Sequence, residues 1–395
     1  MRLAARVASF PTTVFSEFSA LAAEQGAVNL GQGFPDFEGP EEIREAAVKA
    51  LRDGHNQYAV GSGAPALRQA IAEHAQRFYG QSVDPNTMVT VTSGATEALC
   101  DAILGLVDPG DEVVLFEPFY DSYIANVVMA GGVPRYVRLQ PPDGAHAAWW
   151  FDAAELDAAF GPKTRLVILN TPHNPTGKVF SRAELEQIAA LCERHDAFAL
   201  VDEVYEHIVF PPARHLRFAT LPGMAGRTVT VSSAGKSFSF TGWKIGWAIA
   251  APALRHAVQQ AHQFVTFATA APLQIAMAAA LRLPDVYFDT LSADYGARRD
   301  RLGAALGAAG LRSLPVEGTY FTIADTAAAG LPDDFAFCRW LTREVKVAAI
   351  PPSAFYSDAH RHHARHLARF AFCKTDAVLD EAARRLARLP SLRRS

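Results

Sequence analysis

The sequence predicts an α/β protein: a large domain built on a mostly parallel sheet covered by helices on both faces, joined to a smaller α+β domain. Three observations predict it. A chain of 395 residues with 50% apolar content has more core-forming material than one small domain uses. From about residue 65, short apolar runs alternate with segments of helical periodicity, as in a parallel sheet with crossover helices. Beyond about residue 290 the alternation stops, and one long helical segment is followed by short strands.

The elements follow in order. Residues 1–45 contain no strand–helix unit of their own; they read as an N-terminal arm and part of the small domain, with packing on a neighbouring subunit left open. Within the large domain, 46–290, the pattern predicts a helix over 67–79, a strand over 88–92, a helix over 96–106 and a β-rich run over 112–116. Further strands at 165–169, 198–201, 229–232 and 247–250 are separated by helices such as 182–193. The small domain, 291–395, opens with a helix over 294–309 and places strands at 320–323 and 369–373.

A formal charge of −4, from 37 basic and 41 acidic residues interspersed along the chain, offers no sustained field for nucleic acid or an anionic membrane, so small-molecule partners are expected. The four cysteines, Cys100, Cys192, Cys338 and Cys373, lie far apart without a Cys-x-x-Cys pair, which suits a reduced, cytoplasmic protein. The first thirteen residues lack the apolar segment of a secretory signal, and no apolar run reaches the roughly 18 residues of a membrane-spanning helix. The basic run 384–394 reads as a solvated helix end.

In open parallel sheets, loops and helix N-termini converge just outside the carboxyl ends of the strands, and ligands bind there. Five successive predicted strands end in polar or aromatic groups. Ser93-Gly94-Ala95-Thr96 follows the first, Tyr120 the second, Asn174-Pro175-Thr176-Gly177 the third, Asp202 and Tyr205 the fourth, Ser233 and Lys236 the fifth. Each has a plain structural reading as a turn or a strand-end cap. Residues 93–96 also suit an anion, since the first amides of the next helix are unpaired and its dipole favours negative charge. Asp202 ends an apolar strand, where an ionised carboxylate is costly unless a cation or donor meets it; a protonated ring nitrogen is such a partner. Lys236 lies among small and hydroxyl residues, a setting that favours the neutral, nucleophilic amine. Lys244, close by, can stay charged and neutralise a phosphate; two surface lysines are the alternative.

These residues stand beside Asn29-Leu30-Gly31-Gln32-Gly33-Phe34-Pro35-Asp36, Asn56-Gln57-Tyr58, Glu117-Pro118-Phe119-Tyr120, Asn170-Thr171-Pro172-His173-Asn174 and Arg369-Phe370-Ala371-Phe372. Together they resemble the class I/II, fold-type I aminotransferases over nearly the whole chain, and among them the methionine and kynurenine (glutamine/phenylalanine) aminotransferases. The resemblance implies pyridoxal 5'-phosphate as cofactor, an amino acid and a 2-oxo acid as substrates, and a homodimer with a composite active site. It implies that Lys236 carries the cofactor as a Schiff base and moves a proton at the substrate α-carbon, and that Asp202 pairs with the pyridinium nitrogen. Tyr205 and Asn174 are implied to reach the ring's phenolic oxygen, and Tyr120 to stack on the ring. Gly94, Ala95, Thr96, Ser233 and Lys244 are implied to hold the phosphate, joined by Tyr58 from a second subunit. Arg369 is similar in position to the arginine that grips the substrate α-carboxylate as a fork, with Gly33 and Asn174 as further contacts.

Phe15, Phe34 and Phe267 occupy positions that line an apolar side-chain pocket in the enzymes resembled, the last of them across the dimer interface; plain core is the alternative for each. Residues 262–272 contain no Arg for a distal carboxylate, which favours methionine, phenylalanine or another large apolar amino acid. Ala268 stands where kynurenine aminotransferases carry His, which counts against kynurenine. The expected reaction is a ping-pong transamination. A β-lyase acting on cysteine conjugates, a kynurenine transaminase, and a non-catalytic cofactor-binding regulator are the alternatives. No metal is expected: His360, His362, His363 and His366 have only Asp358 near them at ligand spacing and read as exposed polar surface.

Overall fold

The computed structural model describes residues 4–8, 10 and 12–389. Arg2 and the end of the basic run, Arg393 and Arg394, lie outside the described residues. The chain gives β1 (Val28–Asn29), then seven strands: β2 (Val89–Ser93), β3 (Glu112–Glu117), β4 (Val133–Arg138), β5 (Thr164–Asn170), β6 (Phe198–Asp202), β7 (Thr228–Ser233) and β8 (Ile245–Ala250). After a long helix come β9 (Arg312–Ser313), β10 (Phe321–Asp325), β11 (Val347–Ala348) and β12 (Leu367–Ala371).

Strands β2 to β8 form one sheet in the order β2-β8-β7-β6-β5-β3-β4. Strand β8 is antiparallel to both its neighbours, and every other pair is parallel. The amino end of β8 therefore lies at the edge where the other six strands have their carboxyl ends. Side chains alternate between two cores. Val114, Phe116, Val167, Leu169, Ala199 and Val201 enter the cluster on one face, while Val113, Leu115, Leu166, Ile168, Leu200 and Val229 enter the cluster on the other. That is why these strands read as continuous apolar runs: a period of two with both faces buried leaves no polar position. The helix Arg182–Arg194 is set by a capping box, in which the Ser181 hydroxyl accepts from the Glu184 amide and the Glu184 carboxylate accepts from the Ser181 amide.

Three elements differ from expectation. The edge strand β4 is not evident in the sequence, because Pro134 and half-exposed polar residues break its apolar pattern; an edge strand tolerates both. The helix predicted from 294 starts at Asp285. Val286, Tyr287, Phe288 and Thr290 are weak helix formers, and the tertiary burial of Phe288 against Phe238 overrides their local preference. The strand predicted at 369–373 runs Leu367–Ala371, held by pairing with β10 from Phe321↔Ala371 to Asp325↔Leu367. The N-terminal arm packs within the chain: β1 pairs in parallel with β11, and Phe18 is buried with Phe337, Leu341 and Val347. No helix among the described residues is long and apolar enough to cross a membrane.

Candidate active site

At the carboxyl edge of the large sheet lies a cavity of about 240 Å³. Its wall brings together Gly94, Ala95 and Thr96 after β2, Tyr120 after β3, Asn174 after β5, and Asp202 with Tyr205 at the end of β6. Ser233 and Lys236 follow β7, Lys244 precedes β8, and Phe15, Gly33 and Arg369 come from outside the sheet. Lys244 is at this edge only because β8 is reversed.

The turn after β2 is tightly fitted. Gly94 has φ +71, and a Cβ there would stand 3.0 Å from Lys244 Nζ. A Cβ on Gly246 would lie 2.5 Å from the Ala95 amide nitrogen. Two strands thus approach at a spacing that only glycine permits, and the first amides of the helix Gly94–Leu106 open toward the cavity. Lys244, itself at φ 54, places Nζ 3.5 Å from Thr96 Oγ1. Unpaired amides, a hydroxyl and an ammonium in a notch with no room for a Cβ form a site for a compact anion such as a phosphate.

Asp202 is buried at the floor of the cavity. Its Oδ2 accepts from the Tyr123 hydroxyl at 2.7 Å and its Oδ1 from the Val204 amide at 3.2 Å. Burial raises its carboxyl above the ordinary range, while the Tyr123 and Val204 donors and the Lys236 amine pull it back. Lys236 sits on the short helix Ala234–Ser237, with Nζ 5.6 Å from the Tyr205 ring centre and 5.7 Å from that of Tyr320. Burial lowers its ammonium, which favours the free amine.

Arg369 on β12 is 1% exposed. Its Nη1 donates to Asn174 Oδ1 at 3.1 Å and its Nη2 to the Gly31 carbonyl at 2.7 Å. Nε is buried with no hydrogen-bond partner. Burial brings the guanidinium down to about 10. Its central carbon stands 4.2 Å from the Phe321 ring centre, 5.1 Å from Phe15 and 5.2 Å from Phe355. A cation caged by aromatics with an orphan donor is incomplete without an anion.

Three residues expected at the site stand apart from this cavity. Tyr58 is 84% and Phe267 51% exposed, their rings packed edge to face 5.3 Å apart. Phe34 is also exposed, and its carbonyl accepts from Lys374. Of the histidine tract, His360 contacts the buried Glu117, a carboxylate that sequence spacing did not bring near it, and His363 contacts Arg138. Sequence reasoning missed Tyr123, Asn170 and Tyr320. Asn170 Nδ2 donates to the Asp202 carbonyl at 2.9 Å, and its Oδ1 accepts from the Asn174 amide at 2.7 Å. The Tyr320 hydroxyl donates to the Gly33 carbonyl at 2.6 Å. Tyr123 alone had a signal, lying one helical turn after Tyr120 and so on the same side of its helix.

A buried amine, a buried carboxylate and a glycine-lined notch suited to a compact anion lie together at this edge of the sheet. The family of class I and II aminotransferases matches residues 25–386, and the chain belongs to it; its cofactor is pyridoxal 5'-phosphate, whose ring nitrogen, aldehyde and phosphate the three features suit. The chain is 49% identical over 387 residues to a probable N-succinyldiaminopimelate aminotransferase of Mycobacterium tuberculosis, covering 96% of this chain and 97% of that protein. It is 42% identical to the kynurenine–oxoglutarate transaminase 3 of Mus musculus, covering 96% and 88%. It is 41% identical to a crystallised Escherichia coli protein with a methionine aminotransferase function, with a TM-score of 0.93 over 98% of this chain and 100% of that one.

Proposed function

We propose that this aminotransferase takes its nitrogen from a large apolar amino acid, methionine first and phenylalanine or another aromatic next, and passes it to a 2-oxo acid in a ping-pong cycle. The observation that carries the reading is the lining around Arg369. Phe15 and Phe321 stand against the guanidinium, and among the described residues no basic side chain other than Lys236, Lys244 and Arg369 lines the cavity. A donor with a second carboxylate finds no fixed cation for it there.

Bound cofactor supplies an electron sink that makes the substrate α-hydrogen acidic. In the proposed arrangement Lys236 would hold the cofactor through Nζ, and the same Nζ would take the substrate α-proton. Asp202 would meet the ring N–H, and the Tyr123 and Val204 donors lower its carboxyl against the effect of burial. Tyr205, Asn174 and Tyr120, which line the cavity, would hold the cofactor ring. The 94–96 amides, Ser233 and Lys244 hold the phosphate, with Tyr58 of a second copy. Arg369, with Gly33 and Asn174 beside it, grips the α-carboxylate, and Phe267 of the second copy closes the side-chain pocket.

A second reading, N-succinyldiaminopimelate as donor, draws on the 49% identical relative, and a third, kynurenine, on the 42% identical one. The half-reaction separates them. Purified enzyme is mixed with each donor in the absence of any 2-oxo acid, and loss of the cofactor's long-wavelength absorbance is followed. Faster conversion by methionine than by either other compound supports the proposal; conversion by N-succinyldiaminopimelate alone overturns it. Release of pyruvate and ammonia from a cysteine conjugate marks β-elimination instead.

A further inference from the structure

A carboxylate stands directly behind the anion notch. Glu97, in the first turn of Gly94–Leu106, is 7% exposed, and its Oε2 accepts from the Ser93 amide. Its Oε1 meets Nδ1 of His262 at 2.8 Å. His262 is fully buried near the end of the helix Pro252–Val265, and Asp101, one turn below Glu97, has Oδ2 3.6 Å from the same Nδ1.

Two consequences follow from this placement. The Ser93 amide immediately precedes the φ +71 turn at Gly94, whose carbonyl also accepts from Thr92 Oγ1 at 3.0 Å. A carboxylate that fixes this amide therefore fixes the direction of the amides that follow. The second consequence is electrostatic. An anionic carboxylate in the first helical turn draws on the same helix dipole that a bound phosphate needs, and it repels that phosphate. The imidazole, when protonated, offsets the Glu97 charge, and Asp101, whose carboxyl burial pushes up to about 6, adds a second carboxylate to the cluster. Burial works against the protonation of His262, yet Asp101 and Glu97 together hold it up to about 9.

We propose that Glu97 and His262 are positioning residues for the cofactor phosphate: Glu97 aims the turn at 93–96, and His262 neutralises Glu97 so that the turn accepts an anion. The inference rests on the reading that this turn holds the phosphate. Neither residue touches the cavity, so neither is catalytic.

The test titrates apoenzyme with pyridoxal 5'-phosphate and with pyridoxal, which lacks the phosphate, while thermal melting of the apoenzyme monitors folding. His262→Gln is expected to weaken pyridoxal 5'-phosphate binding about tenfold or more and to leave pyridoxal binding unchanged. Glu97→Gln with His262→Gln, which removes both charges and keeps an acceptor for the Ser93 amide, is expected to restore the affinity. If His262→Gln does not fold, single Glu97 variants decide: Gln should bind the phosphorylated cofactor at least as tightly as wild type, and Leu about tenfold more weakly. Equal losses for both aldehydes overturn the proposal, as does a normal affinity in His262→Gln when Lys244→Ala has lost it. If Lys244→Ala also binds normally, the phosphate reading falls and the inference with it. Glu97, Asp101 and His262 also hold donor atoms close enough to share a metal ion; a stoichiometric metal whose removal reproduces the loss overturns the charge-pair account.

Discussion

Asp202 shows how one residue's charge is set by what surrounds it. Its burial favours the protonated acid, and the Tyr123 hydroxyl at 2.7 Å is the main counterweight. Tyr123→Phe removes that donor while keeping the ring, so it should lower kcat about tenfold, the worth of one hydrogen bond to a charged group. A carboxyl whose folded-state value lies above 3.8 binds its proton more tightly in the native protein, so its contribution is complete at low pH and is lost as pH rises through the folded value. Removing Tyr123's hydroxyl pushes that value further up. The deficit in apoenzyme melting temperature of Tyr123→Phe should therefore be larger near pH 7 than near pH 4; a constant deficit would mean that the hydroxyl does not act through Asp202. At this scale the sequence was informative where chemistry is local. Lys236 and Asp202 announce themselves through their neighbours. Arg369 does not, because its aromatic cage is drawn from Phe15, Phe321 and Phe355, residues far apart along the chain.

At the scale of elements, the anion notch depends on the closeness of β8 to the turn after β2. Gly246→Ala would push a methyl group into the Gly94–Ala95 peptide. It should destabilise the apoenzyme by about 1–3 kcal/mol and weaken cofactor binding together, read by melting with and without the cofactor. A loss of stability with unchanged affinity would show that the notch tolerates the shift. Doubly buried strands such as β5 and β6 were legible as apolar runs. The reversal of β8 was not, since an antiparallel strand buried on both faces carries the same apolar signature as its parallel neighbours. Nor was β4, whose place on the sheet edge removes the need for that signature.

For the whole molecule, the exposed aromatics Tyr58, Phe264 and Phe267, with Val60 and Val265, are too many apolar side chains for a solvated face. We propose that a second copy covers them and that each site borrows Tyr58 across the interface. Mixing tests this. Lys236→Ala and Tyr58→Ala subunits, each inactive or slow alone, should together recover about a quarter of wild-type activity, because a hybrid dimer contains one site with both residues intact. No recovery on mixing would place each site within one chain. The arm's contact with β11 could not be read from its sequence, because a two-residue pairing leaves no periodicity. One further consequence comes from the reversed strand. Because β7 and β8 are antiparallel neighbours, the residues joining them carry both Lys236 and Lys244 on a single hairpin. The span between the two lysines is thus a property of one short stretch of covalent chain rather than of how distant segments assemble. New termini opened at an exposed turn elsewhere should leave that ruler intact, whereas a single residue inserted between 237 and 243 should ruin it.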